Sequence, residues 1–257
     1  MRVAVVNYSV IDSKPKYNLA KFETILKGVS REIDLILLPE LWSSGYILED
    51  WEKISREANL VTEKISEIAK KRNIAIGFST LYRENSKLYN RFFLFSGEGK
   101  KLIQYDKSHL FKPMREEQLL ESGEKLGEII SFKEFQISSA ICYDLRFPEM
   151  FRNLALLGSN LFLVSAEWPK PRCDTFLTLA KARAIENQAF LILSNRVGID
   201  KFGVEFCGNS GVIFPDGRFF EAVGIDEVFE IEIFASELTK SKKFIQPLSE
   251  RKAGIDF

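Results

Sequence analysis

The chain has 257 residues, 46% of them hydrophobic, which is enough to bury a substantial core and excludes wholesale disorder. Its 36 Lys plus Arg balance its 36 Asp plus Glu, so no global basic field selects nucleic acid or an acidic membrane surface as a partner. Three cysteines, Cys142, Cys173 and Cys207, lack CxxC spacing and make an odd number, which argues against both a zinc cluster and a disulfide scaffold.

Val3 to Tyr8 reads as a first buried strand. Its apolar run is soon broken by Asn7, Asp12 and Lys14, too early for a signal peptide, and no stretch approaches a membrane span. A reduced, cytoplasmic setting is expected. A helix follows over roughly Asn18 to Ser30, then a strand from Asp34 into Pro39-Glu40. Ser43-Ser44-Gly45-Tyr46 reads as a loop over the strand end, where Tyr46 is either a pocket-lining residue or an ordinary packed aromatic. Leu60 to Arg72 has helical spacing at Leu60, Val61, Ile65, Ile68 and Ala69. Ile74 to Tyr82 and Leu88 to Phe95 form a hairpin across Glu84-Asn85-Ser86-Lys87. A turn at Ser96-Gly97-Glu98-Gly99 returns the chain into a strand that ends at Lys107.

Lys112 to Ser122 has too few aligned apolar residues for a core element and reads as a loop or irregular helix. Phe132 to Phe135 and Ile137 to Cys142 are expected strands, followed by a helix from Pro148 to Leu157. Asn160 to Ser165 is another buried strand, and the residues after it, Ala166-Glu167-Trp168-Pro169, are expected to reach a pocket. An amphipathic helix over Thr175 to Gln188 leads to a strand at Ala189 to Asn195. Shorter strands are expected at Ser210 to Phe214, Arg218 to Val223 and Glu227 to Phe234, the first two joined by the Pro215-Asp216-Gly217 turn. The alternation implies two sheet layers flanked by helices, without a linker or internal repeat.

Three apolar strands thus end in Glu40, Lys107 and Cys142. In open α/β sheets, functional side chains gather beyond the carboxyl ends of the strands. Alone, a strand-end Glu or Lys is a solvated charge and a cysteine is a small core residue; the three together suggest a nucleophile, a base and a cation. Cys142 precedes Asp144-Leu145-Arg146 and Pro148, a strand, sharp turn and helix that would hold a thiol near backbone N–H groups.

Leu38-Pro39-Glu40, Tyr105-Asp106-Lys107-Ser108-His109-Leu110-Phe111 and Cys142-Tyr143-Asp144-Leu145-Arg146-Phe147-Pro148-Glu149 resemble, in order, the nitrilase superfamily of carbon–nitrogen hydrolases. The resemblance continues through Trp168-Pro169-Lys170-Pro171-Arg172, Ala182-Arg183-Ala184-Ile185-Glu186-Asn187-Gln188 and Ser194-Asn195-Arg196-Val197-Gly198, covering nearly the whole chain. Within the superfamily it looks most like the ω-amidase branch, which hydrolyses the side-chain amide of 2-oxoglutaramate and 2-oxosuccinamate. The resemblance implies an α/β fold of the four-layer α-β-β-α sandwich type, spanning residues 1–257 as a single domain, with a homodimer or higher homo-oligomer and a tail from about Lys240 in a subunit contact. It also implies a second glutamate after Phe111. Spacing before Gly123 points to Glu116, with Glu117 and Glu121 as rivals. The one histidine, His109, becomes a structural residue rather than a catalytic partner of Cys142.

The chemistry expected is metal-independent and needs no cofactor, as no HExxH, Walker loop or GxGxxG element is present. Glu40 would take the thiol proton, with Lys107 lowering the thiol's pKa and joining the Tyr143 backbone N–H as the oxyanion donors. Tyr143 stands where nitrilases proper carry tryptophan, which favours an amide over a nitrile. Tyr46 and Trp168 are candidate substrate contacts. Arg146 and Arg172 are candidates for a substrate carboxylate, although either can instead hold the turn through Asp144 or another carboxylate, the reading preferred for Arg146. Arg183, Glu186 and Asn187 are expected to form structural helix hydrogen bonds, and Cys173 and Cys207 to be packing residues. The alternatives are another amidase of the superfamily, such as one acting on deaminated glutathione, and a non-catalytic binding protein that retains the fold.

Overall fold

In the computed structural model of the chain, residues 1–46, 49–243 and 245–252 are described. The first half runs β1 (Arg2–Val6), α1 (Pro15–Gly28), β2 (Leu35–Leu37), α2 (Trp51–Arg72), β3 (Ala75–Glu84), β4 (Lys87–Phe95), β5 (Lys101–Asp106), β6 (Ile130–Phe132) and β7 (Phe135–Ile141). The second runs α3 (Pro148–Leu156), β8 (Leu161–Ala166), α4 (Cys173–Asn187), β9 (Phe190–Asn195), β10 (Val197–Ile199), β11 (Glu205–Cys207), β12 (Gly211–Ile213), β13 (Phe219–Glu221), β14 (Val228–Glu232) and α5 (Ser236–Lys242).

Two six-stranded mixed sheets result, ordered β14-β1-β2-β3-β4-β5 and β13-β12-β9-β8-β7-β6. Period-two alternation decides what each sheet faces. Val3, Val5, Leu35 and Leu37 enter the core shared with the second sheet, whereas Ala4, Val6, Ile36 and Leu38 pack on Phe22 and Leu26 of α1 and Val61 and Ile65 of α2. On the second sheet, Phe162 meets Phe151 of α3 with ring centres 5.2 Å apart. The order is therefore helix, sheet, sheet, helix, the expected four-layer sandwich. Strands β1, β2 and β3 are parallel, as are β7, β8 and β9, so their carboxyl ends share an edge within each sheet. At that edge Ser165 Oγ donates to the Leu38 carbonyl at 2.8 Å, linking the two sheets. Among the described residues no helix is long and apolar enough to cross a membrane.

Several local expectations need correction. Helix α2 starts at Trp51, not Leu60, because Ile54, Ser55 and Ala58 extend the buried stripe; Leu60 itself is exposed. Phe132 to Phe135 is not one strand: Phe132 ends β6, Phe135 opens β7, and the turn at Lys133-Glu134 joins them, with Lys133 at φ +52°. The β10–β11 hairpin was not anticipated; its strands are three residues each, too short for a periodic pattern. Cys173 and Cys207 are not simple packing residues: they form a disulfide joining α4 to β11. The expected tail begins inside α5 and is anchored where Gln188 Nε2 donates to the Ser241 and Ile245 carbonyls, both at 2.8 Å. Residues 244 and 253–257 of that tail lie outside the described residues.

Candidate active site

Glu40 follows β2 after Leu38-Pro39, where proline halts strand pairing, and its carboxyl is buried. Lys107 is the first residue past β5 and Cys142 the first past β7. Lys107 Nζ donates to Glu40 Oε1 at 2.8 Å and to Glu116 Oε1 at 2.7 Å. Of the three ammonium protons, this leaves one for an oxygen in the cavity. Glu40 is held from two further sides, by Asn90 Nδ2 on Oε1 at 2.7 Å and the Glu167 N–H on Oε2 at 2.9 Å. Glu116, on a 3-10 turn of the irregular loop, also accepts from the Phe111 N–H through Oε2 at 2.6 Å. Its rivals Glu117 and Glu121 are exposed.

Cys142 has φ +43°, a left-handed backbone conformation that costs a non-glycine residue about 1–2 kcal/mol. Asp144, fully buried, holds the turn: Oδ2 accepts from the Ile141 N–H at 2.9 Å and the Tyr105 hydroxyl at 2.8 Å. Its Oδ1 lies 2.7 Å from His109 Nδ1, and the His109 ring stacks on Phe147 at 3.5 Å. His109 thus braces the turn. Arg146 does not bond Asp144, so the preferred structural role for it is corrected. Its guanidinium instead lies 5.2 Å from the Trp168 ring centre and 5.9 Å from that of Tyr143. Arg183 donates to the Leu145 carbonyl at 3.0 Å and to Glu186 at 2.8 Å, the structural bonding expected of that helix.

The electrostatics differ from expectation at the thiol. Burial and the neighbouring Glu40 charge push Cys142 well above the usual thiol range, and Lys107 only partly opposes them. Burial alone would lower the Lys107 pKa, but the Glu40 charge and other anionic neighbours outweigh it and keep the ammonium. Burial, then repulsion from Glu40, pushes Glu116 up to about 9. The cluster is therefore Lys107 bridging Glu40 and Glu116 beside a thiol that burial holds above its ordinary pKa.

These groups open onto a cavity of about 360 Å³. Tyr46, Tyr143, Arg146, Trp168 and Arg172 all border it, so every candidate contact meets there. Tyr46 Oη is buried without a hydrogen-bond partner among the described residues, and neither Arg146 nor Arg172 forms an ion pair among them. Two neighbours escaped sequence reading. Asn90 lies inside β4, where nothing marks it. Phe206 belongs to the unanticipated hairpin. Glu167, the first residue past β8 and expected to reach a pocket, borders the cavity.

Residues 2–233 match the carbon–nitrogen hydrolase family. The chain is 34% identical to a 2-oxoglutaramate amidase of Bacillus subtilis (strain 168) over 246 residues, covering 95% of this chain and 94% of the relative. It is 34% identical to the omega-amidase YafV of Escherichia coli (strain K12), covering 84% and 82%. Among solved structures it is similar to a mutant of the amidase from Nesterenkonia sp. AN1 showing covalent addition of the acetamide moiety of fluoroacetamide at the active site cysteine. That likeness has a TM-score of 0.87 at 26% identity, over 98% of this chain and 94% of the other.

Proposed function

The chain belongs to the carbon–nitrogen hydrolase family, and from that premise we propose that it is an ω-amidase releasing ammonia from 2-oxo acid monoamides such as 2-oxoglutaramate and 2-oxosuccinamate through a Cys142 thioester. The observation that carries this reading is the buried cluster in which Lys107 bridges Glu40 and Glu116 beside the thiol. The two amidase relatives named for 2-oxoglutaramate and ω-amide chemistry support the substrate class, and the covalent cysteine adduct of the Nesterenkonia amidase supports the nucleophile.

A neutral thiol is a poor nucleophile, so its proton leaves as the substrate is attacked. Glu40 takes it, and the sulfur bonds to the amide carbon. Charge moves to the amide oxygen, where the remaining Lys107 proton and the Tyr143 N–H stabilise it. Protonated Glu40 then gives its proton to the nitrogen; the C–N bond breaks and ammonia departs, leaving the thioester. Glu40 next removes a proton from water, which attacks the thioester carbon. The C–S bond breaks, the acid leaves, and the proton returns to sulfur. Glu116 keeps the Lys107 ammonium in place throughout.

Arg146 and Arg172 supply the cation for the substrate carboxylate, while Tyr46 and Trp168 shape the cavity around the short chain between carboxylate and amide. The reading includes a cytoplasmic homodimer or higher homo-oligomer as the working form. The test is ammonia release from 2-oxoglutaramate and 2-oxosuccinamate, with glutamine, a simple nitrile and deaminated glutathione alongside, by wild type and Cys142→Ala. Turnover of the oxo-acid amides that vanishes in the variant is expected. Activity confined to deaminated glutathione would replace the substrate, and no activity requiring Cys142 would sink the enzyme reading.

A further inference from the structure

Glu167 takes no part in the steps above, yet its backbone N–H lies on the base Glu40, 2.9 Å from Oε2, and the residue borders the same cavity. Its side chain is only 3% exposed. Its Oε1 accepts from Arg196 Nη1 at 2.5 Å; its Oε2, also buried, has no partner among the described residues. An orphaned buried polar atom beside a binding cavity is costly unless a bound group pairs with it.

The protonation state follows from counting charges. Arg196 already has its counter-ion in Asp12, whose two oxygens accept at 2.9 and 3.1 Å, and the Val10 carbonyl accepts from Nη2 at 3.1 Å. A second anion would be surplus. It would also face the Glu40 carboxylate, and burying an oxygen that is charged and unpaired costs far more than burying a neutral acid. Burial, aided by the Glu40 and Asp12 charges, overcomes the opposing pull of Arg196 and pushes Glu167 up to about 8. The other titratable groups around it are Glu116, which feels its charge, and Cys142, which its N–H faces, with Lys107 beyond them. Since Oε1 is already an acceptor for Arg196, the acid proton resides on Oε2. Glu167 is then a neutral hydrogen-bond donor with one acceptor missing.

We propose that Glu167 is a specificity-determining residue, whose Oε2–H donates to the 2-oxo oxygen of the substrate. This deepens the ω-amidase reading and rests on it. The scale suits the chemistry: Glu167 adjoins the group that works on the amide, and one or two methylenes separate amide and oxo carbons in the two substrates. The donor also discriminates. An oxo oxygen accepts the hydrogen bond, whereas the ammonium of an amino-acid amide such as glutamine offers only donors and leaves Oε2–H unmatched.

The test compares kcat/KM for 2-oxosuccinamate with that for succinamate, which lacks only the oxo group, in wild type, Glu167→Ala and Glu167→Gln. Wild type should prefer the oxo substrate. Glu167→Ala should reduce that preference about 10- to 100-fold, mainly through KM, as expected for one hydrogen bond to substrate. Glu167→Gln keeps an acceptor for Arg196 and an N–H donor for the oxo group, and should keep the preference. In wild type the preference should decline as pH rises through about 8, because the ionised acid no longer donates; in Glu167→Gln it should stay flat. Far-UV circular dichroism and the melting temperature report whether each variant is folded. Wild-type turnover of both substrates without preference, or an equal loss on both in Glu167→Ala, overturns the inference while leaving the amidase reading intact. Absence of all amide turnover by wild type overturns both.

Discussion

Lys107 is an ammonium sealed from water, and only its carboxylate neighbours make that state affordable. Replacing it by methionine leaves buried Glu40 without its cation and removes the proposed oxyanion donor. Lys107→Met is therefore expected to lower kcat about 100- to 1,000-fold or more and to destabilise the fold by about 3–5 kcal/mol; steady-state kinetics and urea titration measure the two. A variant with near-native kcat would remove Lys107 from the mechanism. Glu116 offers a test by pH. Its pKa in the folded protein is pushed up to about 9, above the ordinary carboxyl value of about 4.3, so between these values the native state holds a proton that the unfolded chain has released. The stability this contributes is complete below the unfolded value and is lost as pH rises through the folded one. Glu116→Gln cannot ionise, and its melting temperature should fall less between pH 6 and pH 9.5 than that of wild type. Equal declines would mean that native Glu116 is already ionised at neutral pH.

At the level of elements, two connections carry consequences that no single side chain does. The Cys173–Cys207 bridge closes a segment with a sequence separation of 34 and ties α4 to the hairpin that walls the cavity. In the chain-entropy account a loop of this size is worth about 3–4 kcal/mol. Thermal melts with and without dithiothreitol should differ by several degrees, and Cys207→Ser should melt like the reduced protein with no further response to reductant. Identical melts for all would show that packing alone holds that wall. The β3–β4 turn is simpler. Asn85 and Ser86 have φ +49° and +67° between the paired residues Glu84 and Lys87, the two-residue geometry that favours Asn-Gly. Ser86→Gly should raise stability by up to about 1 kcal/mol in urea titration. A loss of stability would mean the serine side chain makes a compensating contact.

Across the whole molecule, the two sheets share one interior, and the site lies at their joined edge. Leu163 is fully buried in β8, two residues before the cross-sheet Ser165 bond, and so faces the other sheet. Leu163→Ala should cost about 2–5 kcal/mol and move the urea midpoint while keeping one transition; two separate transitions would mean that the sheets fold independently. Much of this architecture was legible from residue order. Periodicity marked most of the strands and helices, because burial repeats at two or 3.6 residues wherever an element has one inner face. Strand ends marked Glu40, Lys107 and Cys142. What escaped were features without a period or a local signature: a short hairpin, the first half of α2, Asn90 inside a strand, and two cysteines far apart in sequence. Sequence by itself determined two sheet layers flanked by helices and put Glu40, Lys107 and Cys142 at strand ends, since these follow from local pattern, while the four-layer sandwich followed from resemblance in ordered motifs. Only the tertiary structure decided that burial and Glu40 raise the thiol's pKa, that Arg146 is free of Asp144, that Cys173 meets Cys207 and that Glu167 Oε2 is buried without a partner among the described residues. Charge balance, burial and contact are properties of distance, and distance between remote residues is absent from the order in which they are joined.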